Sequence, residues 1–346
     1  MNRSRLEQLC TLCGTSGREH PVREYLLQQI HEAGISAEDI RTDRLGNLTV
    51  HKKGRNPAKA KVLFSAHMDE VALMVTAVND DCTLSFDCVG GVNAAAVIGR
   101  TVKAGAAALN GVIGTKPVHH LSGKERKEPA EMSVLYCDIG TSSAAETAEC
   151  GISAGDILYF DTVPQTIGDS FAAKAIDDRF GCEILLTLLS RDLPYDIEVA
   201  FVVQEEVGLR GAGVAARAVD PDIAVVLEAT TAADLPDSHG ADRVCCLGGG
   251  AVISLIDGRT VYDKALYDLA AQLCDSRGIR WQTKSKIAGG NDAGAIQNAG
   301  SGVRVAAVSV PCRYLHAPVS VIRYADAEAC EALVIALAET LPEGTV

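Results

Sequence analysis

Ile197-Glu198-Val199-Ala200-Phe201-Val202-Val203-Gln204-Glu205-Glu206 is the stretch whose reading decides the fold. Its apolar run has the length and β-branched content of a buried strand. It ends in two adjacent carboxylates, Glu205 and Glu206, which packing does not explain. Charged side chains are rarely buried unless they are paired or bound to a metal. Adjacent carboxylates repel unless a cation or a proton stands between them. The same pattern recurs elsewhere. The apolar run 61–66 leads into His67-Met68-Asp69-Glu70, 223–227 leads into Glu228, and 303–310 leads through a short loop to His316. Asp177 stands where a loop enters a helical pattern.

Helical periodicity separates these strands. Residues 177–190 carry Phe180, Ile184, Leu185, Leu188 and Leu189 on one side, and 263–277 and 326–341 read as further helices. The chain begins with helices over 6–13 and around Val22, Leu26, Leu27 and Ile30, then a short strand at 47–51. Another strand is expected at 251–256. Strands alternating with helices imply an α/β sheet covered on both faces. Residues 73–164 differ in texture. Short β-type runs at 84–86, 97–98, 102–103, 111–114, 134–136 and 157–160 alternate with glycines and suggest a small barrel or sandwich. The expected fold class is therefore α/β: a mixed central sheet flanked by helices, formed by 1–72 plus 165–346, with an inserted all-β barrel-like domain at 73–164. The polar stretch 119–129 reads as an exposed loop.

Composition narrows the function. The 346 residues are 47% hydrophobic and 22% charged, which suits a globular chain with a sizeable core. A net charge of -13 argues against a nucleic-acid partner. The 12 cysteines include one lone C-x-x-C, Cys10 and Cys13, inside a helical pattern, and no second pair completes a zinc ribbon. They read as small buried thiols suited to a reducing cytoplasm. Met1–Glu7 leads straight into an amphipathic helix without the look of a signal peptide, and no apolar run is long enough to span a bilayer. There is no P-loop or G-x-G-x-x-G fingerprint, and Gly248-Gly249-Gly250 reads as a turn.

In open α/β sheets, functional groups gather at the carboxyl ends of strands. His67, Asp69, Asp177, Glu205, Glu206, Glu228 and His316 can all converge there. Two histidines with several carboxylates suit Zn²⁺ or a similar divalent ion. So many carboxylates overload one tetrahedral ion, whereas two ions sharing a bridging carboxylate fit the count. Asp177 also suits a helix N-cap. Asp69 is placed to orient His67.

The chain resembles the tetrahedral-aminopeptidase family of dinuclear metallopeptidases, which includes glutamyl aminopeptidases and proteins labelled cellulase M. The resemblance rests on Ser65-Ala66-His67-Met68-Asp69-Glu70, Lys174-Ala175-Ile176-Asp177-Asp178-Arg179, Gln204-Glu205-Glu206-Val207-Gly208, Gly289-Gly290-Asn291-Asp292-Ala293 and His316-Ala317-Pro318. By that resemblance, Asp177 would bridge two divalent ions, two Zn²⁺ per subunit with Co²⁺ or Mn²⁺ as alternatives. His67 and Glu228 would complete one shell, and Glu206 and His316 the other. Glu205 would be the general base and Asp69 would orient His67. Many members carry Asp at the position of Glu228, Ser at that of Ala317 and Thr at that of Asn291.

The expected activity is removal of amino-terminal residues from short peptides, with a metal-bridged hydroxide as nucleophile. A metal-dependent deacylase or amidase on small N-acyl substrates would need a similar site. A β-glucanase would use paired carboxylates without histidines or metals, usually in an aromatic-lined cleft, and this chain has one Trp. The resemblance also implies a homo-oligomer, a tetrahedral dodecamer built from dimers through the inserted domain, and the lack of a spanning apolar run points to no membrane partner.

Overall fold

The computed structural model describes residues 1–236 and 238–344. Two helices, α1 (Arg3–Thr11) and α2 (His20–Glu32), precede strands β1 (Ile40–Thr42), β2 (Leu48–Lys52) and β3 (Val62–His67). Next come β4 (Ala72–Val78), β5 (Leu84–Val89), α3 (Ala94–Val97), β6 (Thr101–Ala104), β7 (Leu109–Gly114), β8 (Tyr136–Asp138), α4 (Ala144–Glu149) and β9 (Ile157–Phe160). The chain continues through β10 (Gln165–Ile167), β11 (Ser170–Ala173), α5 (Ile176–Leu189), β12 (Ile197–Val202), α6 (Ala212–Val219) and β13 (Ile223–Thr231). It ends with β14 (Ala251–Ile253), α7 (Lys264–Arg277), β15 (Trp281–Thr283), α8 (Ala293–Ile296), β16 (Arg304–Cys312), β17 (Ser320–Arg323) and α9 (Tyr324–Thr340).

The central sheet has eight strands in the order β1-β2-β12-β3-β13-β16-β14-β15. Its middle strands β12, β3, β13 and β16 are parallel neighbours, and β2 and β14 flank them antiparallel. The apolar runs are near-continuous because both faces of the sheet are covered. Along β3, Val62, Phe64 and Ala66 face the larger core, which α1, α2, α5, α7 and α9 complete. Leu63 faces the smaller core, under α6 and α8. The small residues Ala200, Ala224 and Ala307 on that second face allow those short helices to approach closely.

Six strands form a closed barrel in the order β4-β5-β8-β7-β6-β9. Leu73, Val75, Leu84, Phe86, Val102, Ile113 and Leu158 fill it. Closure leaves this small sheet no free edge. The run 97–98 is not a strand. Val97 ends the short helix α3, whose first turn is capped by the Asn93 side chain accepting from the Ala95 amide at 2.9 Å. In the run 134–136, Val134 closes a 3₁₀ turn and only Tyr136 enters a strand. β14 is shorter than expected, ending at Ile253. The 119–129 stretch is an exposed loop with a 3₁₀ turn at Glu125–Lys127. All 12 cysteines are free thiols, with Cys10 buried. Among the described residues no helix is long and apolar enough to cross a membrane.

A buried charge network ties the N-terminal helices to the sheet. Arg179, fully buried on α5, donates to the carbonyls of Met68 at 2.9 Å and Leu9 at 2.7 Å. Its guanidinium also lies 3.3 Å from Glu70. Lys174 reaches the same carboxylate at 2.8 Å and the Leu12 carbonyl at 2.7 Å. Removing one member strands the others in a dry interior. Arg179→Met is therefore expected to lower the unfolding free energy by about 3–5 kcal/mol. Urea denaturation reads this directly, and a loss below about 1 kcal/mol, in the range of an exposed ion pair, would show that the network is not a structural tie.

Candidate metal centre

Register places the first pair of groups. β3 and β13 run parallel with Ser65 opposite Val226. Two residues further along each strand, on the same face, stand His67 and Glu228. Their side chains meet, with Glu228 Oε1 at 3.5 Å from His67 Nε2. Glu228 does not end its strand, as its position after an apolar run suggested. β13 stays paired with β16 as far as Thr231, so Glu228 projects from within the ladder. A core strand tolerates an interior Glu here only because polar groups receive it.

The loop after β12 supplies the second pair of carboxylates. Gln204 has a positive φ of 58°, which turns the chain at the sheet edge. The Asp69 carboxylate holds that turn, accepting from the amides of Glu205 at 3.0 Å and Glu206 at 3.1 Å and from the Ser16 hydroxyl at 2.6 Å. Asp69 also faces His67, but the closer acceptor for Nδ1 is the Asp69 carbonyl at 3.1 Å, against 3.5 Å to the carboxylate. Asp69 thus positions both the imidazole and the paired glutamates. Glu206 lies 3.3 Å from His316 Nε2. His316 itself has a positive φ of 57°.

Asp177 joins the two halves. Its Oδ1 is 3.2 Å from His67 Nε2, and its Oδ2 is 3.6 Å from His316 Nε2. The N-capping role considered for Asp177 belongs to Asp178, whose Oδ1 accepts from the Gly181 amide at 2.9 Å. Asp177 has non-helical backbone angles and its side chain is turned to the histidines instead. The barrel closes one side. Gly90 has a positive φ of 84° and a Cβ there would lie 2.8 Å from Val71 Cγ1 and 3.3 Å from Glu206 Cβ, while one on Gly91 would crowd His316 Nδ1 at 3.3 Å, so the loop after β5 approaches the site closely.

Every site residue inferred from the sequence falls in this neighbourhood. Two more acids, not assigned a role there, join them. Among the described residues, Asp178 Oδ2 and Asp292 Oδ1 are buried without a hydrogen-bond partner. Both lie in quoted motifs, but only the folded chain shows that they face the site. The donor chemistry fits divalent ions. His67, Asp178 and Glu228 form one set able to hold an ion, and His67, Asp177 and Glu206 another, each with ligand atoms within 4.8 Å of one another.

Electrostatics shows how crowded the charge is. Burial, with the charge of Asp177, holds Glu228 well above the usual carboxylate range. Burial and neighbouring carboxylates push Glu205, Glu206 and Asp292 each up to about 8. For Asp177 burial acts upward but is outweighed by hydrogen bonds from Glu228, His316 and His67, so its carboxyl lies well below the usual range. Burial would lower His67, yet its bonds to Asp177, Asp69 and Glu228 hold it well above its usual value. His316 is raised to about 9, first by its bond to Asp177. Protons are retained wherever negative charge is too dense to persist in a low dielectric. Positive ions relieve the same repulsion.

A cavity of about 140 Å³ opens beside these groups, lined by Asp177, Glu205, Glu228, Asn291, Lys284 and Leu315 among others. It is large enough for one amino-acid side chain.

Residues 46–333 match the family described as M42 glutamyl aminopeptidase, and the chain belongs to that family. It is an aminopeptidase, a hydrolase of peptide bonds, within a family of metallopeptidases. The glutamyl aminopeptidase of Lactococcus lactis is 30% identical over 338 residues, covering 93% of this chain and 91% of the relative. The lysyl aminopeptidase of Pyrococcus furiosus is 31% identical over 337 residues, covering 95% and 94%. Among solved structures, the TET1 peptidase of Pyrococcus horikoshii superposes with a TM-score of 0.84 at 31% identity, covering 98% of this chain and 99% of that one. That peptidase is described as assembling into a tetrahedron or a large octahedral shell.

With His316 facing both Asp177 and Glu206, His316→Ala is expected to lose about one metal ion per chain. Elemental analysis of the dialysed protein measures this, and an unchanged metal-to-chain ratio would remove His316 from the ligand set.

Proposed function

We propose that this chain is a dinuclear metallo-aminopeptidase that removes amino-terminal residues from short peptides. The observation that carries this is the division of Asp177, one oxygen toward His67 and the other toward His316. A carboxylate so placed suits a bridge between two cations. His67 and Glu228 would hold one, and Glu206 and His316 the other. Two such ions, Zn²⁺ or alternatively Co²⁺ or Mn²⁺, would supply an activated water and polarise the scissile carbonyl.

The chain's own groups do the rest. Glu205 lines the cavity beside Asp177 and Glu228 while its amide is pinned by Asp69. It is the general base, taking a proton from water and delivering it to the leaving amine. Its raised pKa reflects burial, and cations beside it act in the opposite sense. Asp69 is a positioning residue. The surplus of carboxylates attracts a free α-ammonium group, which favours chain ends over internal bonds.

Residues 73–164 are proposed as an insertion into a catalytic domain made of 1–72 and 165–346. Val112, Val134 and Val163 on this insertion are exposed apolar residues suited to an interface between copies. The assembly is a homo-oligomer, a tetrahedral dodecamer built from dimers, as the shell-forming relative supports. The free thiols fit a cytoplasmic location.

The test is a panel of free and N-acetylated peptides, assayed with chelator and with Zn²⁺ or Co²⁺ restored. Cleavage confined to free amino ends, lost on chelation and recovered with metal, is expected. Cleavage of acylated substrates alone would replace this reading with a deacylase. In the same assay Glu205→Gln is expected to lower kcat by about 10²–10⁴-fold while metal content persists. Near-normal turnover of that variant would remove Glu205 as the base.

A further inference from the structure

We propose that a second cavity, outside the metal centre, binds the phosphate group of a small phosphate monoester. It has a volume of about 500 Å³ and is lined by Arg18, Arg23, Arg44, Leu45 and Tyr159 among others. That volume lies within the range of roughly 300–1,000 Å³ usual for small-molecule sites. The start of α2 and the turn between β1 and β2 form its walls, with Tyr159 of the barrel strand β9 at one side. It shares no lining residue with the cavity beside Asp177.

Arg18, Arg23 and Arg44 form no ion pair among the described residues, although the chain carries a net charge of -13. The two carboxylates in the lining are already taken. Asp43 Oδ1 accepts from the amides of Leu45 at 2.9 Å, Gly46 at 2.9 Å and Asn47 at 3.1 Å, and Oδ2 accepts from the Asn47 side chain at 2.7 Å. Glu19 is buried and accepts from the amides of Gly17 at 2.7 Å and Gln204 at 3.2 Å. These bonds fix both walls, and Arg23 joins them by donating to the Gly46 carbonyl at 3.4 Å. His20 is spoken for by Glu24 at 3.1 Å. The helix start adds little by itself, because Pro21 has no amide hydrogen and the Val22 and Arg23 amides are bonded to the Glu19 carbonyl. The cavity is therefore a preformed place where guanidinium groups lack a counterion, and an anion relieves their repulsion. Guanidinium forks match phosphate oxygens two at a time. A monoester offers up to roughly two negative charges, more than a carboxylate. The overall charge repels a long polyanion such as nucleic acid, whereas a small ligand responds to the local field. Phosphate alone would fill little of the space. Leu45 is exposed and Tyr159 half-buried, so both offer surface to the organic part of the ligand.

The experiment is isothermal titration of the metal-loaded protein with phenyl phosphate, inorganic phosphate and benzoate at one fixed ionic strength. Phosphate can also meet the metal ions, so each titration is repeated on Arg23→Met and on the double variant Arg18→Met with Arg44→Met. Arg18 and Arg44 hold no bonded partner among the described residues, so the double variant should fold as the wild type does, and its urea midpoint checks this. Phenyl phosphate is expected to bind one per chain and more tightly than either other probe. Each variant should weaken it by about ten- to a hundredfold, as for loss of a hydrogen bond between charged groups. Absence of phenyl phosphate binding to the wild type overturns the site. Unchanged affinity in the folded double variant places the ligand on the metal centre and also overturns it. Inorganic phosphate binding as tightly as phenyl phosphate would remove the organic ligand from the proposal, and benzoate binding as tightly would replace the phosphate with a carboxylate. None of these results depends on peptide hydrolysis, so the aminopeptidase reading stands or falls separately.

Discussion

Crowded negative charge is the constraint around which this molecule is arranged. Asp177, Asp178, Glu205, Glu206, Glu228 and Asp292 converge near two imidazoles in a space from which water is largely excluded. Such a group of acids cannot all ionise together without compensating cations. Their gathering opposes folding, so the scaffold must hold them by other means. Asp69 anchors the Glu205 and Glu206 amides, and Asp178 caps α5 while Asp177 turns away to the histidines. Behind the site, Lys174 and Arg179 neutralise Glu70, which keeps that acid out of the crowd.

The sheet makes this placement rigid. His67 and Glu228 belong to neighbouring parallel strands whose apolar residues are locked between two cores. A shift of one residue in that register would turn Glu228 to the opposite face and bury it among aliphatic side chains. The antiparallel strand β14 and the following β15 extend the sheet beyond β16 and bring Lys284 to the cavity wall. The barrel, built from a different stretch of chain, reaches the same place through Gly90 and Gly91. One pocket therefore depends on strand pairing, a helix start and a loop of the barrel at once.

Much of the architecture was legible in the sequence because the core strands are apolar throughout. β12, β13 and β16 needed only their composition and the helices between them to be recognised. Short elements were harder. Val97 has a strand-former's side chain, yet Asn93 caps a helical turn there, and local hydrogen bonding outweighs β propensity over so few residues. Glu228 seemed to end its strand because a charge after an apolar run usually does. The ladder continues past it, since its neighbours across the sheet edge are polar. Asp177 and Asp178 are indistinguishable as letters, and which one caps and which one faces the histidines depends on backbone angles.

The sequence by itself determined the inventory: two histidines, paired glutamates and further acids at the ends of apolar runs, in an order matching one peptidase family. Those features are local, written in composition and spacing along the chain. Tertiary structure alone decided which groups share an oxygen's reach, that Asp69 binds the glutamate turn more than the imidazole, and that the Lys284 ammonium donates to the Ala288 carbonyl at the cavity wall. Contacts of this kind join residues as far apart as Asp69 and Glu206, or Asp177 and His316, and no periodicity along the chain encodes them. They arise only when strand register and helix packing bring distant residues within hydrogen-bonding distance.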